Sequence, residues 1–229
     1  MLRIVAAALS AAIAGSVLTV PVHAEEAPDV AAVVTTYADI AEAGYSDSLA
    51  AARKLKAAVD TLVAEPTDAN LKAARQAWID SRVPYMQTEA YRFGNAIVDD
   101  WEGRVNAWPL DEGLIDYVSS EYGDESPEND LYVANVIANT SIKIAGEDVD
   151  TTTIDKALLT DTLQEAGDVE SNVATGYHAI EFLLWGPDLN GTGPGAGTRP
   201  APCFDPAHCT VGTCARPAPS LTTHPTRLT

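Results

Sequence analysis

The chain has 229 residues, of which 33 are Asp or Glu and 14 are Lys or Arg, for a formal net charge of −19. Such a surface repels nucleic acid and anionic membranes and favours cations or basic partners. Acidity of this kind also serves solubility alone, so it selects no ligand by itself.

Residues 1–24 read as a secretory signal peptide. Arg3 supplies the positive start, Ile4 to Val20 is apolar and rich in alanine, and Val22-His23-Ala24 offers small residues for cleavage. The apolar stretch is short for a membrane span. The expectation is therefore an exported protein, periplasmic or held in the cell envelope, with no membrane span once the leader is removed.

The body that follows is patterned as helix almost throughout. Val30, Val33, Val34, Tyr37 and Ile40 recur at spacings of three and four, and Tyr45, Leu49, Ala52, Leu55, Val59 and Leu62 continue the same face. One long helix to about Ala64 is expected, with a bend near Gly44, a stop at Pro66, and Thr67 or Asp68 as the next cap. A second helix is expected from Asp68 to Tyr91, with Leu71, Ala74, Trp78 and Ile79 inward, a kink at Pro84 and an end at Gly94. Asp99 to Arg104 reads as an irregular polar stretch, its Asp99, Asp100 and Glu102 as solvated charges. A short helix is expected over Glu112 to Val118, another around Leu131, Val133, Val136 and Ile137, and another around Ile154, Leu158, Leu159 and Leu163. The last helix runs from about Asp168 to Trp185 and stops at Gly186-Pro187. No strand is expected. About 160 residues of amphipathic helix can bury a substantial core, so the fold class is all-α, a helical bundle covering residues 25–186.

Residues 187–229 differ. They hold eight of the 14 prolines, all three cysteines and only two acids, Asp188 and Asp205. An irregular tail is expected, disordered from Arg216 onward. This break in composition leads to the expectation that the natural product is longer, and that a truncation or frameshift changed the chain near residue 215. A disulfide between Cys209 and Cys214 is expected, which leaves Cys203 unpaired; a metal–thiolate site is the alternative.

The last helix carries Gly176-Tyr177-His178-Ala179-Ile180-Glu181. Residues three apart lie on one helical face, so His178 and Glu181 can approach one ion. Ile180, Phe182, Leu183, Leu184 and Trp185 should be buried around them, and a polar pair in such a run costs free energy unless something satisfies it. A metal ion would do so; so would a hydrogen bond within the core. Imidazole with carboxylate suits zinc, iron or manganese, and the lack of a nearby thiolate argues against a structural zinc site.

The stretch resembles the Gly-x-His-x-x-Glu signature of the imelysin family of exported bacterial proteins. Three further blocks agree in order. One holds Ala77-Trp78, Arg82, Pro84-Tyr85 and Thr88 to Gly94. The next is Asn106-Ala107-Trp108-Pro109-Leu110-Asp111 with Ile115-Asp116-Tyr117, and the last runs from Leu184-Trp185-Gly186 to Gly195. The resemblance implies an all-helical protein of two bundle-like halves, of which this chain carries the N-terminal one, with a site near their junction. It also implies either a metallopeptidase activity or a part in iron uptake at the cell envelope.

On that basis His178, Glu181 and Glu89 are the expected metal ligands, with Arg82 and Arg92 as anion- or substrate-binding groups or as interhelical salt bridges. Trp108 and Trp185 are expected in the core. Of four histidines, His23 leaves with the leader and His208 and His224 lie in the tail, so His178 alone remains in the body. One imidazole with carboxylates is a poor zinc-protease site and suits ferric iron better, though zinc stays open as the bound ion. The expected function is a periplasmic metal-binding protein serving iron acquisition, partnered by an envelope iron-uptake system. The alternatives are a metallopeptidase with Glu181 or Glu89 as base, and a metal-free structural helical module.

Overall fold

The computed structural model describes residues 29–118, 123, 125–188, 190 and 192–204. The leader, the tail from residue 205 and both Cys209 and Cys214 lie outside the described residues. The chain divides into two units, one ending at Tyr37 and one beginning at Ala38. In the first, the described residues open a helix and expose Val30, Val33 and Val34.

That helix, α1 (Val30–Ala64), is the long helix expected from the three-four spacing. It ends just before Pro66, and Thr67 caps α2 (Asp68–Gln87) by accepting a hydrogen bond from the Asn70 amide at 3.2 Å. The buried stripe of α2 is Leu71, Ala74, Ser81 and Tyr85, with Trp78 packed beside it. Ile79 was expected on this face but is exposed, because it follows Trp78 by one residue and is turned about 100° away around the helix. The helix stops earlier than its periodicity suggests. Thr88 folds its hydroxyl back onto the Tyr85 carbonyl at 2.7 Å, and Glu89–Tyr91 tightens into a 3₁₀ turn.

The expected irregular stretch after Gly94 is instead α3 (Ala96–Val105). Trp101 on this helix meets Tyr45 of α1 and Tyr85 of α2, with ring centroids 6.1 and 6.2 Å apart. Glu102 is no solvated charge: it accepts from Arg92 at 3.1 Å and from Asn106 at 2.9 Å. α4 is a single turn, Glu112–Ile115.

Residues 116–175 depart most from the helical expectation. No helix forms around Leu131 to Ile137; the amides of Asn135, Val136 and Ile137 donate to the carbonyls of Gly113, Leu114 and Ile115. Gly113 admits this approach, since a Cβ there would collide with the Tyr132 carbonyl. A hairpin follows, β1 (Ser141–Ile144) antiparallel to β2 (Glu147–Asp150), with Ser141 opposite Asp150 and Ile144 opposite Glu147. Its two-residue turn, Ala145-Gly146, has positive φ at both positions (51° and 87°), the twist that a tight hairpin requires. Leu158–Leu163 is a short π-helix, and Ala166–Asp168 a 3₁₀ turn. Leu114, Leu131, Val136, Ile142, Ile154 and Leu163 close a core of their own here.

A buried polar network holds these loops. Asn129 donates to Asp111 at 2.5 Å and to Asn172 at 2.7 Å, while Asn172 donates to the Ala166 carbonyl at 2.7 Å and Ser171 donates to Asp111 at 2.7 Å. This network occupies the chain where the last helix was expected to begin. The helix, α5, therefore starts only at Gly176 and runs to Trp185.

α5 packs against α2, α3 and α4. Tyr177 joins Leu55 and Tyr85 in one cluster, and Leu184 joins Leu62, Leu71 and Ala74 in another. The Pro- and Gly-rich segment after Gly186 is not detached: Ala201 and Cys203 are buried in a 3₁₀ turn, and Phe204 packs on the second cluster. Cys203 is disulfide-bonded, which corrects the expectation that it stays unpaired; three cysteines allow one bond within the chain. Among the described residues the fold is all-α with one small hairpin.

Candidate functional site

α5 owes its position to groups at both of its ends. At its start, Gly176 has φ +86°, and a Cβ there would run into the Val105 carbonyl, so α3 and α5 approach with nothing between their backbones. Gln164 accepts from the amides of Ala174 (3.0 Å) and Thr175 (3.2 Å), and Thr175 donates its hydroxyl to the Arg104 carbonyl at 2.8 Å. Trp78 of α2 donates its indole N–H to the Tyr177 carbonyl at 2.9 Å. At the far end Arg75 donates to the Leu184 carbonyl (3.1 and 2.8 Å) and to the Arg199 carbonyl (2.7 Å), satisfying acceptors that a helix terminus leaves open. The one turn carrying His178 and Glu181 is thereby held from two neighbouring helices.

His178 Nδ1 lies 3.0 Å from Glu181 Oε2. At this distance the two atoms share a hydrogen bond when Nδ1 carries the proton, or turn two lone-pair donors toward one ion when it does not. The His178 side chain is 18% exposed and that of Glu181 42%, so the pair is a wall of the surface that solvent reaches rather than a core contact. Trp108 covers the imidazole with ring centroids 4.8 Å apart, yet is itself 70% exposed. Its expected place in the core is thus corrected: it rests on the histidine with most of its surface in solvent, while Trp185 does pack inward beside Trp78.

Three charged residues that sequence reasoning did not single out complete the surroundings. Glu112 is half-buried at the start of α4. Burial pushes its carboxyl above the usual range, Asp188 and Glu181 push it further, and Arg199 pulls against them. Arg199 in turn donates to Asp116 at 2.5 Å, both side chains nearly buried. Asp188 is exposed just past the end of α5. The motif blocks contain Asp188, but spacing gave no sign that α4 would bring Glu112 to the same place.

The other expected site residues lie apart. Glu89 sits exposed on the 3₁₀ turn after α2 and has no hydrogen bond or ion pair to His178 or Glu181. Arg82 lies across the faces of Tyr177, Tyr85 and Trp78, its guanidinium carbon 4.8, 5.3 and 5.7 Å from the ring centroids, and donates to Asn106. Arg92 pairs with Glu102, the interhelical salt bridge that was the alternative to an anion site.

The donor chemistry suits a cation. Two donors each about 2.1 Å from one ion, at roughly a right angle, stand about 3 Å apart, which is the His178–Glu181 separation. The excess of negative charge around Glu112 would be relieved by the same ion. Among the described residues, however, no three side chains of His, Cys, Asp or Glu converge on one point. An ion there would meet two protein donors on an open face rather than a closed cage.

Among the described residues no helix is long and apolar enough to cross a membrane. Over a 71-residue stretch the chain is 42% identical to Iron-regulated protein A of Synechococcus elongatus, which covers 31% of this chain and 20% of that protein. The match thus spans about a fifth of the relative's length. The imelysin family model matches residues 41–223, a range that takes in α2 to α5 and every residue placed around His178. On that match, and on an all-α fold whose signature helix is held as described, the chain belongs to the imelysin family.

Proposed function

We propose that this imelysin protein is exported and binds a metal ion in service of iron acquisition, with His178 and Glu181 as its ligands. The observation that carries the proposal is the 3.0 Å separation of His178 Nδ1 and Glu181 Oε2 on a part-exposed face. The name of the Synechococcus relative, which ties that protein to iron regulation, supports iron as the cargo. One imidazole among carboxylates favours a hard, oxygen-preferring ion such as ferric iron over a catalytic zinc, which is normally held by three protein ligands. Glu112 and Asp188 contribute negative charge at the site, and Trp108 shields one face of the imidazole from water.

The test is elemental analysis of the purified chain after incubation with ferric, ferrous and zinc salts, beside His178→Ala and Glu181→Ala. Near-stoichiometric iron that either substitution abolishes is expected. Metal uptake unchanged in both variants would overturn the assignment of ligands, and chelator-sensitive cleavage of a peptide lost in His178→Ala would replace iron binding by the peptidase reading.

A further inference from the structure

A cavity whose lining does not include His178 opens between α1, α2, α3 and α5. It holds about 500 Å³, within the range of small-molecule sites, and its exposed lining is overwhelmingly apolar. Leu49, Leu55, Val59, Trp101 and Ile180 are among the apolar residues of the wall. Leu49 and Trp101 remain exposed at 51% and 42%, so the cavity is open to solvent along one side. From Tyr45 to Val59 the lining follows α1 over 15 residues, a length of roughly 21 Å at the helical rise. The space is long rather than round.

Charge says what would fill it. In a chain with 33 acids against 14 Lys and Arg, the charged lining residues are Lys56 and Arg104, with no acid among them. Lys56 is engaged by Asp60 at 2.7 Å. Arg104 has no carboxylate partner among the described residues and makes only a 3.4 Å contact to the Thr160 carbonyl. A cation without its anion beside an elongated apolar trough is complementary to an amphiphile with a negative head.

We propose that this trough binds a long-chain monocarboxylate, its carboxylate on Arg104 and its acyl chain along α1. The tail would exclude water from Leu49, Val59, Trp101 and Ile180, a gain of roughly 25 cal/mol per Å² of apolar surface covered. Gly176, Tyr177 and Ile180 of α5 form part of the wall.

The test is calorimetric titration of the purified chain with palmitate, decanoate and hexadecanol, with the oligomeric state followed by sedimentation. Saturable one-to-one binding of palmitate, weaker for the shorter acid and for the uncharged alcohol, is expected. Arg104→Gln is expected to weaken palmitate roughly ten-fold, the loss of one charge-assisted contact, while leaving hexadecanol unchanged. Leu49→Asp, at an exposed position that the fold tolerates, is expected to abolish both. Circular dichroism checks that each variant keeps its helical content. Absence of saturable palmitate binding, binding indifferent to Leu49→Asp, or a dimer that closes the trough and that Leu49→Asp dissociates would each overturn the proposal. None of these outcomes bears on metal binding at His178.

Discussion

Trp78 donates its indole N–H to the carbonyl of Tyr177, 2.9 Å away, and so ties the middle of α2 to the turn of α5 that presents His178. The two rings also meet edge to face at 6.4 Å, and Trp78 meets Trp185 in the same way at 5.4 Å. One side chain thus spans both ends of the signature helix.

Replacing Trp78 by Phe keeps much of this aromatic packing and removes the donor. A net loss of about 1 kcal/mol is expected, read as a lower denaturation midpoint with an unchanged slope in urea. A larger loss would show that the indole's bulk, rather than its hydrogen bond, holds α5 in place.

Gly176→Ala tests the close approach of α3 and α5. Gly146, in the hairpin turn, has nearly the same φ (87° against 86°) but open space where its Cβ would stand. Both alanines carry the left-handed backbone strain of roughly 1 kcal/mol, and only Gly176→Ala adds a collision with the Val105 backbone. Thermal melts of the two variants should differ by several degrees, with Gly176→Ala the less stable. Equal melts would mean that α3 moves aside at little cost.

Asp116→Asn isolates the nearly buried pair with Arg199. Removing one charge leaves the Arg199 guanidinium buried without its anion, and a loss of roughly 3 kcal/mol is expected. Hydrogen exchange should report the effect first in residues 199–204, since the Arg199 carbonyl also receives Arg75.

Glu112 gives a pH dependence of definite sign. Its carboxyl titrates higher in the folded chain than its ordinary value of 4.5, chiefly through burial. The fold therefore prefers it protonated: its contribution is fully present below 4.5 and is lost as pH rises through the folded value. Glu112→Gln should raise the melting temperature at neutral pH and leave it unchanged in acid. Added metal should raise wild type more than Glu112→Gln if the ion relieves this charge, which differential scanning calorimetry measures.

Tyr85 acts likewise at the alkaline end. Burial pushes its phenol up to about 12, aided by Glu102 and opposed by Arg92 and Arg82. The neutral phenol is favoured in the fold, so stability falls between the ordinary value of 10 and about 12. Tyr85→Phe should flatten that fall, as followed by circular dichroism across an alkaline titration.

How much of this was legible in the chain differs from element to element. α1 and α2 follow from apolar residues at three-four spacing, from Pro66 and from the Thr67 cap, all signals carried within one or two turns. The pairing of His178 with Glu181 is of the same kind, because helical periodicity alone brings residues three apart together. The hairpin went unread, because its strands are four residues each and Ala145-Gly146 is a weak turn signal. Glu102 read as solvated because Asp99 to Arg104 was expected to be irregular; once α3 forms, helical spacing brings Asn106 to it, and Arg92 reaches it from the preceding turn.

By itself, then, the sequence determined the helical class, the two long helices, the family and the histidine–carboxylate pair, since each rests on local periodicity or on ordered motif blocks. Only the tertiary structure decided the late start of α5, the exposed cover of Trp108 on His178, and the grouping of Glu112, Asp188 and Arg199 around them. These depend on hydrogen bonds and charges between residues far apart in the chain, such as Asn129 with Asn172 and Arg199 with Asp116. No short-range pattern encodes those pairings, because each forms only where packing removes water and leaves a buried polar group no other partner.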